Sequence, residues 1–139
     1  MSRGEIDRIT LSLLVEQSGV ERVPMRSGLN WGQRPGRNPN QAYLAIPREI
    51  QRLSFLPEVG QQFTVDTDDG HRFTMVRTQS NGKALETPGD NSLLGRYFRS
   101  RIGVESGRLV TATHLRRYGR TSVDIYRISG THYRLDFSI

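Results

Sequence analysis

Apolar and polar positions alternate at Ile9, Leu11, Leu13 and Val15, the two-residue period of a strand with one buried face. A second short strand is predicted over Tyr43 to Ile46. Pro47 suits the first turn of a short helix, with Ile50, Leu53 and Leu56 facing inward. Phe63 and Val65 alternate into Asp68-Asp69-Gly70, a hairpin signal, and Phe73 and Met75 continue on the return strand. From Leu93 the period lengthens. Leu93, Leu94, Tyr97, Phe98 and Ile102 share one side of a helix, started by Asp90, Asn91 or Ser92 and stopped by Gly103. Arg96 and Arg99 fall away from that side. Arg101 falls within it, so it must snorkel, pair with a carboxylate or lie past the helix end. Leu109 and Val110 predict a short strand, and Thr113 to Tyr118 a short helical turn closed by Gly119. Val123 to Ile128 and Tyr133, Leu135 and Phe137 predict a last hairpin around Gly130.

The sum is about seven strands and two or three short helices without regular βαβ alternation. The fold class is therefore mainly β (α+β), read as one domain over 1–139 and as a barrel or open pseudobarrel. Two long polar segments stand outside this pattern. The first, residues 27–41, holds arginines, asparagines and glutamines broken by Gly28, Gly32 and Gly36 around a single tryptophan, Trp31. The second, residues 78–92, reads TQSNGKALETPGDNS.

Composition adds one constraint. The formal net charge is +6, and every basic residue except Lys83 is arginine. Guanidinium makes flat, forked hydrogen bonds to phosphate and to guanine edges, so the surplus points to a polyanionic partner, most simply nucleic acid. There is no cysteine, which excludes disulfides and thiolate metal sites. No apolar run approaches the roughly 18 to 20 residues of a membrane-crossing helix, and the N-terminus has no signal-peptide pattern. A soluble, cytoplasmic chain with no membrane partner is expected.

Motifs for cleavage are missing. A metal nuclease needs Glu-x-Lys, but Asn81 stands two before Lys83, the only lysine. A phospholipase-type nuclease needs His-x-Lys, but His71, His114 and His132 are followed two residues later by Phe73, Arg116 and Arg134. The histidines lack zinc spacings, and no nucleophile elbow occurs. Neither cofactor nor metal is expected. Two other readings stay open: a small nuclease with a metal at Asp66, Asp68 and Asp69, and an RNA-binding module stacking bases on Trp31. The second is weakened by an aromatic content of 8%.

Arg, Asn and Gln are the side chains that read bases bidentately in the major groove. From the first arm, Arg26, Asn30, Trp31, Gln33, Arg34, Arg37, Asn38 and Asn40 are candidate DNA contacts. Arg77, Gln79, Asn81, Lys83, Arg96 and Arg99 would act from the second side, and Arg116, Arg117 and Arg120 are phosphate candidates. Trp31 can also pin its arm to the body; like Tyr43, Phe98, Tyr126 and Phe137 it reads mainly as structural. The ordered series SGLNWGQR, GRNPNQAYLAIP, DNSLLGRYFRSRIGV, YGRTSVDIYRI and YRLDFS, spanning about residues 23 to 138, resembles the DNA-recognition domain of NgoFVII/NgoAVII-type restriction endonucleases. That domain is similar to plant B3 domains and to the recognition domains of EcoRII and BfiI. The resemblance implies a seven-stranded pseudobarrel with two short helices, gripping the major groove of double-stranded DNA with arms at about 26–41 and 77–92. It also implies a separate nuclease domain or subunit, and so no catalysis by this chain.

Overall fold

In strand β1 (Arg8–Ser12) Ile9 and Leu11 are buried while Arg8, Thr10 and Ser12 face solvent, as a two-residue period requires. The computed structural model describes residues 7–79 and 82–139. Past Leu13 the alternation does not continue as one strand. The chain leaves the body to form a separate ribbon, β2 (Val15–Gln17) and β3 (Val20–Arg22), with all six residues exposed. Ser18 and Gly19 between them both have positive φ, at 53° and 78°, which matches the twist of a two-residue hairpin. β4 (Leu44–Ala45) and the one-turn α1 (Arg48–Gln51) follow, with Pro47 as the N-cap.

β5 (Phe63–Thr67) and β6 (Arg72–Thr78) form the expected hairpin. β7 (Ala84–Glu86) lies inside the segment read as a polar arm, and its Ala84 and Leu85 are buried. α2 (Ser92–Ile102) ends at Gly103 in the left-handed conformation. Leu109 and Val110 form no strand: this stretch is a loop whose backbone is bound by side chains of the first arm. α3 (Ala112–Tyr118), β8 (Ser122–Ser129) and β9 (His132–Asp136) complete the chain.

Seven of the strands form one sheet in the order β1-β8-β9-β5-β6-β7-β4. Every neighbouring pair is antiparallel except β5 and β9, which run parallel. The edge strands β1 and β4 approach each other, so the sheet is nearly closed. The core inside it includes Leu11, Val65, Met75, Leu85, Phe98, Ile125 and Phe137, all almost fully buried. The architecture is a mainly β, seven-stranded pseudobarrel with three short α-helices among the described residues.

Arg101 resolves its apparent misplacement by pairing with a carboxylate. It lies 13% exposed in a two-pronged contact with Asp68, itself 10% exposed, with Nη1 donating to Oδ1 at 2.8 Å. Its Nε donates to the Tyr118 hydroxyl at 2.9 Å, and Asp68 also accepts the Phe137 amide at 2.7 Å. Burial alone would raise the Asp68 carboxyl. The Arg101 guanidinium and the Phe137 amide outweigh it and hold the group below the usual carboxylate range. Burial and the bond to Asp69 push the Tyr97 hydroxyl up to about 12, so it stays protonated and donates to Asp69 at 2.7 Å. One ionic knot thus ties the β5–β6 turn to α2 and to the end of β9.

Candidate nucleic-acid interface

The first arm is a shaped structure and not a loose loop. It opens with a 3-10 turn over Gly28–Asn30. Asn30 is fully buried and uses its whole amide: Nδ2 donates to the carbonyls of Pro24 and Val110, and Oδ1 accepts the Val110 amide, all at 2.8 Å. Gln33 donates to the carbonyls of Pro39 at 2.9 Å and Gly107 at 3.1 Å. Asn40 donates to Ser106 Oγ at 2.9 Å and accepts the Gly107 amide at 2.7 Å. Two glycines permit the crowding: a Cβ on Gly32 would stand 2.0 Å from the Asn38 carbonyl oxygen, and one on Gly95 of α2 would stand 1.7 Å from that of Asn40. Trp31 is half-buried, edge-on to Tyr43 with Arg37 stacked 4.5 Å above it, and Arg37 Nε donates to Gln41 Oε1 at 2.6 Å.

This division corrects two sequence-based expectations. Asn30 and Asn40 are buried among backbone groups and build the arm instead of reaching out from it. Arg26, Arg34 and Asn38 are the candidates left exposed. The Arg34 guanidinium donates to the Arg26 carbonyl through Nη2 at 2.9 Å, which orders it without neutralising its charge. Asn38 Oδ1 accepts the Asn40 amide at 2.9 Å, which leaves its NH2 free to donate.

The second side needs more correction. Arg77 is 7% exposed and donates to the carbonyls of Gly82, Pro57 and Gln51, so it holds the base of the arm. Arg99, expected on the outer face of α2, is 1% exposed and points inward to the carbonyls of Leu29, Gly95 and Arg108. Burial lowers its pKa. Its three acceptors lie on the first arm, on α2 itself and on the 104–110 loop, which no helical periodicity reveals. Gln79 and Lys83 are exposed, and Gln79 holds a positive φ of 65° at the turn. Asn81 lies outside the described residues. Arg96 is exposed, with Asp90 3.4 Å away offsetting part of its charge.

On α3, Arg116 and Arg117 are exposed, the former 3.4 Å from Glu21 of the β2–β3 ribbon. Arg120 is committed to the fold: its guanidinium donates to the carbonyls of Ser122 and Ser138 and pairs with Asp124 at 2.8 Å. Arg48 and Arg52, four apart around α1, are exposed cations absent from the candidate set. Their signal was available, since residues four apart share a helix face.

The carboxylates of the nuclease alternative face cations or donors already in the fold. Asp66 binds Arg72 and His132, each at 2.6 Å, Asp68 binds Arg101, and Asp69 accepts Tyr97 and Thr67. Among the described residues no group of three His, Asp or Glu side chains is placed to hold a metal. His114 serves its own helix, where its Nδ1 accepts the Thr111 amide at 3.0 Å in a capping box for α3.

No curated protein matches the chain. The family model described as the NgoFVII C-terminal B3-like DNA-binding domain matches residues 2–129. Of the described elements, that span holds eight of nine strands in full, three α-helices and the described residues of both arms. The nearly closed, mainly β pseudobarrel agrees with that match, and the chain belongs to the family of NgoFVII C-terminal B3-like DNA-binding domains.

Proposed function

We propose that the domain reads a specific sequence in double-stranded DNA, gripping the major groove between its two polar arms, and that it serves a restriction endonuclease as the target-recognition module. Cutting would belong to a separate domain or subunit, and the work would take place in the cytoplasm. The observation that carries this reading is the split of labour in the first arm. Asn30, Gln33 and Asn40 pin the backbone through hydrogen bonds, and Arg26, Arg34 and Asn38 remain exposed on it. Pinning lowers the conformational entropy lost on binding, so more of the contact energy is left to discriminate between sequences. The RNA reading gains nothing: Trp31, its stacking platform, is covered by Arg37 and Tyr43.

Selection of bound duplexes from a random pool supplies the target, and two substitutions then separate reading from gripping. A bidentate arginine on guanine is worth about 1 to 3 kcal/mol of discrimination. Arg34→Ala is therefore expected to lower the ratio of specific to random binding by about 5- to 150-fold. Arg117→Ala, at an α3 position without Asn or Gln neighbours, should weaken both duplexes by similar factors. An unchanged ratio in Arg34→Ala would remove that residue from sequence reading.

Duplex binding is also expected to survive EDTA, with no cleavage by the purified chain in Mg²⁺ or Mn²⁺. Specific, metal-dependent cutting would promote the nuclease reading in its place.

A further inference from the structure

A groove of about 530 Å³ opens beside the second arm, lined by Arg48, Gln51, Arg52, Glu58, Val59 and Arg77. Arg77 is its unusual member. The side chain is buried, and its donors meet three carbonyl oxygens at 3.3 to 3.4 Å. Among the described residues no carboxylate pairs with it. A guanidinium does not deprotonate in a protein. Carbonyl oxygens satisfy its N–H groups but bring only partial charges, so a full positive charge stays in a poorly solvated place. Arg48 and Arg52 add two more cations on one side of α1, both exposed. Among the described residues Glu58 is the one carboxylate in the lining. The groove therefore presents a net positive charge toward solvent.

Its position matters as much as its charge. Gly82, at the end of the second arm's turn, packs against both Val59 and Arg77, and the Lys83 carbonyl accepts the amide of Ile46, two residues ahead of α1. The arm and the groove are thus built on the same few residues. We propose that the groove is a phosphate seat, in which Arg48 and Arg52 take the oxygens of one DNA backbone phosphate beside the segment gripped by the second arm, with Arg77 as the fixed cation behind them. This rests on the reading that the arms grip duplex DNA. Arg77 is a positioning residue here, because its donors are already held by carbonyls.

The test is the salt dependence of binding to a random duplex by the whole chain. Each phosphate neutralised contributes about −0.9 to the slope of log K against log salt. Arg48→Ala/Arg52→Ala is expected to make that slope shallower by about one and to weaken random and selected duplexes by the same factor. Arg72→Ala/Arg134→Ala removes the same charge around Asp66, at the end of β6 away from the second arm, and should leave the slope nearly unchanged. An unchanged slope in the first variant, or an equal loss in the second, overturns the seat. All four side chains are exposed, so both variants should keep the parent urea midpoint. A parent protein that prefers no duplex sequence would sink the recognition reading, while the random-duplex slope would still score the groove.

Discussion

Asn30→Ala is expected to cost about 3 to 5 kcal/mol of folding stability, because each buried hydrogen-bonding group left without a partner costs about 1 to 3 kcal/mol. Three groups lose their partner at once: the carbonyls of Pro24 and Val110 and the Val110 amide. The Pro24 carbonyl is only part-buried, so water recovers some of the loss there, which keeps the sum below the maximum. Against a total stability of about 5 to 15 kcal/mol for a domain, the change is large. The measurement is the urea midpoint at constant m-value. Asn38→Ala is the comparison, since that exposed side chain serves one local bond and should cost about 1 kcal/mol or less. If the two variants unfold at the same midpoint, the first arm is not anchored through Asn30. The functional consequence follows from the same geometry. With the arm released, Arg26 and Arg34 lose their fixed position, and the specific-to-random binding ratio should fall even where the protein is still folded.

The second large effect is expected at the ionic knot. Removing one partner of a buried pair costs about 3 to 5 kcal/mol, chiefly because the other charge is left uncompensated. Arg101→Met leaves Asp68 in that state. Asp68→Asn/Arg101→Met should recover much of the loss, because Asn keeps an oxygen for the Phe137 amide and carries no charge. The sign of the pH dependence is set by Asp68, whose carboxyl is held below its ordinary value in the folded protein. A depressed carboxyl contributes stability that is present above its unfolded pKa, about pH 4, and is lost as pH falls through the folded value. In Arg101→Met the guanidinium no longer opposes burial and only the Phe137 amide still does, so the same carboxyl moves up from its parent position and acid weakens the variant less than the parent. The difference between parent and variant should therefore narrow from pH 7 to pH 3. A difference that stays constant over that range would mean that the pair is held by packing and not by charge.

The strands and helices were largely legible in the sequence because their signals are local. The alternation of Ile9 with Leu11 and of Phe63 with Val65 marked faces that are buried in the fold. On α2 the stop at Gly103 and the burial of Leu94, Tyr97 and Phe98 were equally plain, but Leu93, read on the same side, is exposed. Failures came where one pattern served two elements. Val15 continued the alternation of β1 but belongs to an exposed ribbon that pairs with itself across the positive-φ turn at Ser18 and Gly19 and not with the sheet. Leu109 and Val110 looked like a strand, but the backbone of Val110 is already taken by Asn30.

For the candidate interface, the chemistry is local: an arginine-based positive surplus, two polar arms and the residue types that recognise bases and phosphates can all be read from the chain. Tertiary structure alone decided which of those residues are available. Asn30, Asn40, Arg77, Arg99 and Arg120 have the same side-chain chemistry as Arg26, Arg34 and Asn38, and composition cannot tell the two sets apart. Asn30 reaches Val110 across 80 positions of chain, and Arg99 reaches Leu29 across 70. A polar side chain is spent when an unpaired backbone group happens to lie beside it in space, because leaving that group buried and unpaired would cost more than ordering the side chain. That proximity is a property of the closed sheet and its packed arms, and no local window of sequence contains it.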